Sequence, residues 1–349
     1  MIQGKQKTEK EYRALDVDSS SSLKEFSLDR RKYYKKYVSN EKVEPEEDSK
    51  ASVIGRVTET LLLEKDEFDS RFYMSSITKT PSGLMGDFVE ALYKYTILAT
   101  NEEGNIIRDF NEIAQDAYRE SGFKIKFEAV LGKFIGSDAE IFYKEIREVR
   151  SKGLTVITTE DVTNSERIVE ELKTNPITAE IVNLVSSDRF LVQNQLQIEN
   201  YEVDGMKFKS MMDKVIIDHK LKTIQCYDLK CVWNVEDFYE NYYLFRRSYI
   251  QAYLYKQACY ELKNQLDLQY YTVLNPIFIV VDSINYYSPL LYTLNSDDMD
   301  DAYNGFDYKG KKYPGVKTLI SELKWAKENN QWRITKKNYE NNGILNIKG

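Results

Sequence analysis

The stretch "MMDKVIIDHKLKTIQCYDLK", residues 211–230, restricts the fold of this chain more than any other. Two short apolar runs, "VII" and "TIQCY", flank the polar turn "DHKLK". Apolar runs of strand length around such a turn predict an antiparallel hairpin. An aspartate stands at one edge of each run, Asp213 and Asp228, and Lys230 follows two residues after the second. Centring the turn on Lys220 and Leu221 places Asp213 directly opposite Asp228. Facing Cβ atoms on one side of a ladder lie ~4.5–5.5 Å apart. Side chains alternate along a strand, so Lys230 shares the face of Asp228 while Leu229 points to the other. Two opposed carboxylates repel, which raises one pKa unless a cation lies between them. A divalent metal held by oxygens at ~2.0–2.1 Å, the magnesium distance, removes the conflict. The lysine then stands where it can meet a negatively charged substrate or an attacking water. The plain alternative is a cross-strand ion pair between Asp213 and Lys230 at a sheet edge.

Around this hairpin the chain reads as one α/β domain. Residues 1–18 look like a flexible arm, and residues 19–349 a single domain. "DSSSSLKEF" opens a helix, with Ser20 to Ser22 as candidate caps and Leu23, Phe26 and Leu28 as its first apolar positions. "EKVEPEEDSK" reads as an acidic loop, and a helix is expected over 52–64. Residues from about 85 to about 185 read mostly as helices and predict a helical insertion. "RFLVQNQLQIENYEV" and "NPIFIVVDS" read as strands, with a long helix over about 236–266 between the hairpin and the second. "LNSDDMDDA" reads as an acidic loop, "GVKTLISELKWAKEN" as a helix, and about 300–349 as a basic extension.

Composition limits the function classes. The 349 residues are 30% charged and 42% hydrophobic, as in a soluble globular protein. No apolar run approaches the ~18–20 residues of a membrane span, and "MIQGKQKTEKEYRALD" lacks the apolar core of a secretory signal. Cys226, Cys231 and Cys259 have no CxxC spacing, which suits free thiols in a reducing cytoplasm. His219 is the only histidine and falls in the turn, away from the acids, which argues against a Ser–His or Cys–His nucleophile. A GxxxxGK[ST] phosphate loop is missing, so an ATP motor is unsupported. The net charge of -7 argues against a general nucleic-acid coat. Its distribution is uneven, however. Residues 309–337 hold nine Lys or Arg against two Glu, and residues 24–36 hold six against two acids. Tyrosines are mixed into both, as in "RRKYYKKY" and "YKGKKYPGVK", a combination that suits a phosphate backbone and exposed bases. Two solvated surfaces would read the same way.

Three motifs together resemble the PD-(D/E)xK nuclease superfamily in its RecB-like branch: Asp213 with Asp228-Leu229-Lys230, Gly55 and Glu59 in "GRVTETLLLE", and Gln251 and Tyr255 in "QAYLY". Singly, Glu59 suits a solvated helix acid and Gln251 and Tyr255 a packing face. Their order and spacing match the family. "SSSSLKEFSLDRRKYYKKY", "IGRVTETLLLEKDEFDSRFYM" and "GLTVITTEDVTNSERIVEELKTNP" further resemble phage RecE-type and lambda-type recombination exonucleases, so the likeness covers roughly 19–275. Glu59 stands where many relatives have His, and Met212 where some have Pro. The resemblance implies a restriction-endonuclease-like core, a mixed central sheet flanked by helices. It implies metal-dependent hydrolysis of DNA, with Mg²⁺ or Mn²⁺ held by Glu59, Asp213, Asp228 and the Leu229 carbonyl. Lys230 would serve the attacking water, and Gln251 and Tyr255 would position the site. DNA contacts would come from Ser20, Ser22, Arg30, Arg31, Lys35 and Lys36. Such exonucleases resect linear duplexes in recombination, often as toroidal homo-oligomers beside a single-strand annealing protein in a bacterial host's cytoplasm. A structure-specific or defence endonuclease on the same core, or a non-catalytic DNA-binding protein, are the alternatives.

Overall fold

The computed structural model describes residues 7–39, 50–284 and 288–345. These fall into two compact units. One comprises residues 7–39, Leu172–Asp282 and 288–345, and the other residues 50–171 with Ser283 and Ile284.

The first unit is built on a seven-stranded mixed sheet. Its spine is the strand Met206–Asp218, buried at nearly every position, so both faces are covered. Phe190–Val203 runs antiparallel along one edge. The other edge is shared. Asp18–Ser19 pairs in parallel with Phe208 and Lys209, and Thr223–Val232 takes over antiparallel from Lys214 onward. Ile277–Asp282 then pairs in parallel with Thr223–Val232, and Pro289–Thr293 antiparallel with Ile277–Asp282. Thr272–Val273 joins the start of Thr223–Val232. This is the mixed central sheet flanked by helices that the sequence leads one to expect. The hairpin register also agrees: Lys214 pairs with Tyr227, Val215 with Cys226, and Asp218 with Thr223.

The helix Ser248–Gln265 packs Tyr249, Ile250, Leu254, Ala258, Cys259 and Leu262 into the main core. The single helix expected over about 236–266 is broken. Tyr239–Phe245 winds as a π-helix, and Arg247 has φ +60, a left-handed conformation that interrupts an α-helical ladder.

At the N-terminal end, the true cap of the helix Ser20–Leu28 is Ser19. It forms a capping box with Ser22, and Leu23 and Phe26 are buried while Leu28 is exposed. Residues 7–18 differ from the expected arm. Glu9–Arg13 is a helix capped by Thr8, and the buried Lys209 donates to the Tyr12, Arg13 and Leu15 carbonyls at 2.9, 3.2 and 2.7 Å. Asp18 in turn accepts from Ser22 Oγ, Tyr33 OH and Lys327 Nζ at 2.9, 2.8 and 2.6 Å, tying both chain ends of this unit to the sheet. The segment "LNSDDMDDA" is also ordered otherwise than expected. Asn295 and Asp298 form a capping box, and Ser296–Asn304 is a helix that buries Met299 and Ala302. A hairpin of Gly305–Tyr308 and Lys311–Pro314 follows, then the helices Val316–Asn329 and Lys336–Glu340.

The second unit holds the helices Lys50–Leu63, Gly83–Leu98, Phe110–Ser121, Phe127–Phe134 and Asp138–Val149. Phe88, Leu92, Ile113, Val130, Phe134 and Ile146 form its core. It is larger than the expected insertion over 85–185, because Val53 and Val57 of its first helix pack on Phe72 and Ile157. Those two belong to a short parallel pair, Phe72–Met74 with Thr155–Ile157, that periodicity did not reveal. The acidic segment 41–49 lies outside the described residues. Among the described residues no helix is long and apolar enough to cross a membrane.

Candidate functional site

Asp213 stands where the shared edge of the sheet changes partner. The ladder to Thr223–Val232 begins at Lys214, and the strand Asp18–Ser19 stops at Lys209. At that gap the Asp213 side chain replaces a ladder bond: Oδ2 accepts the Leu229 N–H at 2.7 Å. The N–H and C=O of one strand residue leave by the same edge, so the Leu229 carbonyl also faces the edge of Asp213.

Asp228 is 1% exposed and Asp213 9%. Asp228 Oδ1 accepts from Gln251 Nε2 at 2.7 Å, and Oδ2 is ion-paired with Lys230 Nζ. Apart from that charge, Oδ2 is sealed from water and takes no hydrogen bond from the described residues. Gln251 and Tyr255, four residues apart, share one face of the helix Ser248–Gln265. Gln251 Nε2 donates to Tyr255 OH at 2.8 Å, and Tyr255 OH donates to the Met211 carbonyl at 2.6 Å. Burial pushes the Tyr255 hydroxyl well up, and the charges of Asp228 and Asp213 both add to this, so it stays protonated as a donor.

Lys24, which lies in none of the three motifs, also reaches this group. It comes from the helix Ser20–Leu28, and Nζ donates to Gln251 Oε1 at 3.1 Å. Burial first, then the neighbouring charges of Lys230 and Arg246, draw its pKa down to about 8 against an opposing pull from Asp228. A lysine one residue past an apolar helix position gives no sequence signal of its own; only the packing of that helix turns it inward.

The remaining candidates are placed differently. Ser20 and Ser22 are buried, and Ser22 Oγ is bonded to Asp18. Arg30 lies over the Phe26 ring and pairs with Glu322 at 2.7 Å, while Arg31, Lys35 and Lys36 are exposed. Glu59 is half-buried on the helix Lys50–Leu63 of the second unit. His219 in the turn meets Tyr271 OH at 2.8 Å, away from the acids. The three cysteines form no disulfide among the described residues, and Cys226 and Cys259 are buried.

Among the described residues no three His, Cys, Asp or Glu side chains gather where a metal ion could be held. What the first unit brings together is narrower: two buried carboxylates, a backbone carbonyl and one ion-paired lysine. Oxygen donors alone, one of them an Asp228 oxygen that takes no hydrogen bond and is neutralised by Lys230, are the donor type that a hard divalent cation such as Mg²⁺ or Mn²⁺ takes. A cavity of about 560 Å³ lies elsewhere, lined by Ile216, Asp218, Thr223, Gln225 and Tyr227 among others. Those positions alternate out of phase with Asp213 and Asp228, so it opens on the other side of the hairpin.

No family model matches the chain, and no curated protein matches it. Among solved structures, one described as "Putative exonuclease" from Eubacterium rectale is similar at 10% sequence identity, over 98% of this chain and 89% of that one, with a TM-score of 0.47.

Proposed function

We propose that the protein is a metal-dependent nuclease that hydrolyses phosphodiester bonds of DNA and works from the ends of linear duplexes, in recombination or DNA processing. One observation carries the reading. Asp213 and the Asp228-Leu229-Lys230 run meet across one hairpin, and Gln251 and Tyr255 from a single helix face hold Asp228 in place. A structural ion pair at a sheet edge does not need a buried second acid, nor a glutamine and a tyrosine aimed at it.

Asp213, Asp228 and the Leu229 carbonyl would hold the cation, which when bound supplies Lewis acidity to a phosphoryl oxygen and acidity to a water. Gln251 holds Asp228 Oδ1 and so leaves Oδ2, the oxygen now paired with Lys230, as the one that would meet the cation, and Tyr255 fixes Gln251. Lys230 keeps its ammonium at Asp228, where it orients the attacking water or meets charge that develops on the phosphate. Arg31, Lys35 and Lys36 offer exposed positive charge for the backbone. A homo-oligomer and a single-strand annealing partner belong to the same proposal.

The test uses end-labelled linear duplex and closed circular DNA with Mg²⁺ or Mn²⁺. Nucleotide release from linear DNA with the circle untouched is the expected result. Nicking of the circle turns the reading to an endonuclease. Binding without cleavage in either metal turns it to a non-catalytic DNA-binding protein. Glu59→Gln in the same assay decides whether Glu59 contributes.

A further inference from the structure

The contact between Lys24 and Gln251 does more than fill space. A glutamine amide has one end that only accepts and one that only donates. A lysine ammonium can only donate, and an ionised aspartate can only accept. Lys24 Nζ lies 3.1 Å from Oε1, and Asp228 Oδ1 lies 2.7 Å from Nε2. With those two neighbours, one amide orientation satisfies both ends. Nε2 also reaches Tyr255 OH at 2.8 Å, and that hydroxyl spends its own proton on the Met211 carbonyl. The chain of donors therefore runs one way, from Lys24 to the strand that carries Asp213. Turned over, the amide would set its oxygen against the Asp228 carboxylate.

We propose that Lys24 is a positioning residue: it locks the Gln251 amide, and through it the Asp228 carboxylate, in the orientation that receives a divalent cation. The metal half of this rests on the nuclease reading above; the amide half does not. The helix Ser20–Leu28 is thereby part of the site without touching substrate or cation. The charged groups facing Lys24 are Lys230, Arg246 and Asp228. With burial they leave its pKa at about 8, so the ammonium that sets the amide is removable at accessible pH.

Selective ¹⁵N-glutamine labelling reads the amide directly, the Gln251 resonances being identified by their absence in Gln251→Leu. In the full-length parent they should shift with a midpoint near pH 8. That titration should vanish in Lys24→Met, and Lys24→Arg should keep the low-pH position throughout. Mn²⁺ affinity, measured by calorimetry without DNA, should fall about tenfold in Lys24→Met and recover in Lys24→Arg, as for other residues that orient a metal ligand. In cleavage, kcat should fall with KM within about twofold. Gln251 resonances that lie at the same position in Lys24→Met as in the parent at pH 7, or that still titrate in Lys24→Met, overturn the inference. So does a Lys24→Met protein that binds Mn²⁺ as tightly as the parent. A parent that binds no Mn²⁺ removes the nuclease reading and the metal half with it, while the amide titration still decides whether Lys24 orients Gln251.

Discussion

Asp228 carries a charge that Lys230, itself 24% exposed by side chain, meets as an ion pair. Removing one partner of a buried pair leaves the other uncompensated and costs about 3–5 kcal/mol. Lys230→Ala should therefore lower stability in the absence of metal by an amount toward the low end of that range, because the lysine is partly solvated. Added Mg²⁺ or Mn²⁺ should restore much of it by supplying the missing positive charge. Cleavage should fall about 10²–10⁴-fold, the usual weight of a proton-transferring group. Thermal melts with and without metal and single-turnover assays check both; parent-like turnover returns Lys230 to the role of ion pair. Lys214, on the paired strand, is a separate case. It is 5% exposed, donates to the Val182 and Leu184 carbonyls at 3.0 and 3.1 Å, and burial draws its pKa down to about 8. An unfolded lysine titrates near ~10.4. Between the two values the unfolded chain binds more protons, so stability from this group rises with pH there, and the full cost of burying its charge stands below pH 8. In urea titrations the parent should gain on Lys214→Met from about pH 8 to about pH 10. A constant difference would mean that the amine is not desolvated in the folded state.

At the scale of elements, the sequence revealed what periodicity and paired chemistry can encode. The hairpin register was legible because Asp213 and Asp228 bracket two apolar runs around a polar turn, and the face of Gln251 and Tyr255 because four residues separate them. The helix Ser296–Asn304 was not, since four aspartates in nine residues read as a solvated loop. Its formation depends on the Asn295 capping box and on two buried side chains, Met299 and Ala302, that tertiary packing alone rewards. Asn295→Ala should cost about 1 kcal/mol, read as a shifted urea midpoint with an unchanged slope. The break at Arg247 was illegible for a different reason: a positive φ at an arginine is imposed by surroundings, not by propensity. Gly315 marks another such constraint. A Cβ there would collide with the Tyr303 carbonyl oxygen and the Gly305 nitrogen, both backbone atoms that cannot swing aside. Lys24 belongs to the same class, a residue whose role exists only once the helix that carries it has docked.

For the whole molecule the question is how an acidic chain of net charge -7 would hold DNA. Positive charge must be gathered locally, and the structure sorts the two basic stretches by what their charges already do. Arg30 is engaged with Glu322, Lys327 with Asp18, and Lys309 with Glu240 at 2.6 Å. Arg31, Lys35 and Lys36 are exposed on the helix Arg30–Tyr37, whose start is capped by Asp29; Arg31 lies 3.9 Å from that Asp29 carboxylate and Lys36 lies over the Tyr37 ring, both at the surface. Neutralising these three should thus weaken DNA binding without disturbing the fold, whereas Arg30→Gln should lower stability as well. Each phosphate that a side chain no longer neutralises reduces the slope of log affinity against log salt by about 0.9 for duplex DNA. The triple variant Arg31→Gln, Lys35→Gln, Lys36→Gln should flatten that slope by up to about three times this amount. Mn²⁺ affinity at Asp213 and Asp228 should stay unchanged, because the substitutions touch neither acid nor the Gln251 network. Binding isotherms across a salt series separate the outcomes. An unaltered slope would make this helix a solvated surface and shift the search for the DNA path to Lys311 and Lys312, the exposed lysines of the hairpin Gly305–Pro314.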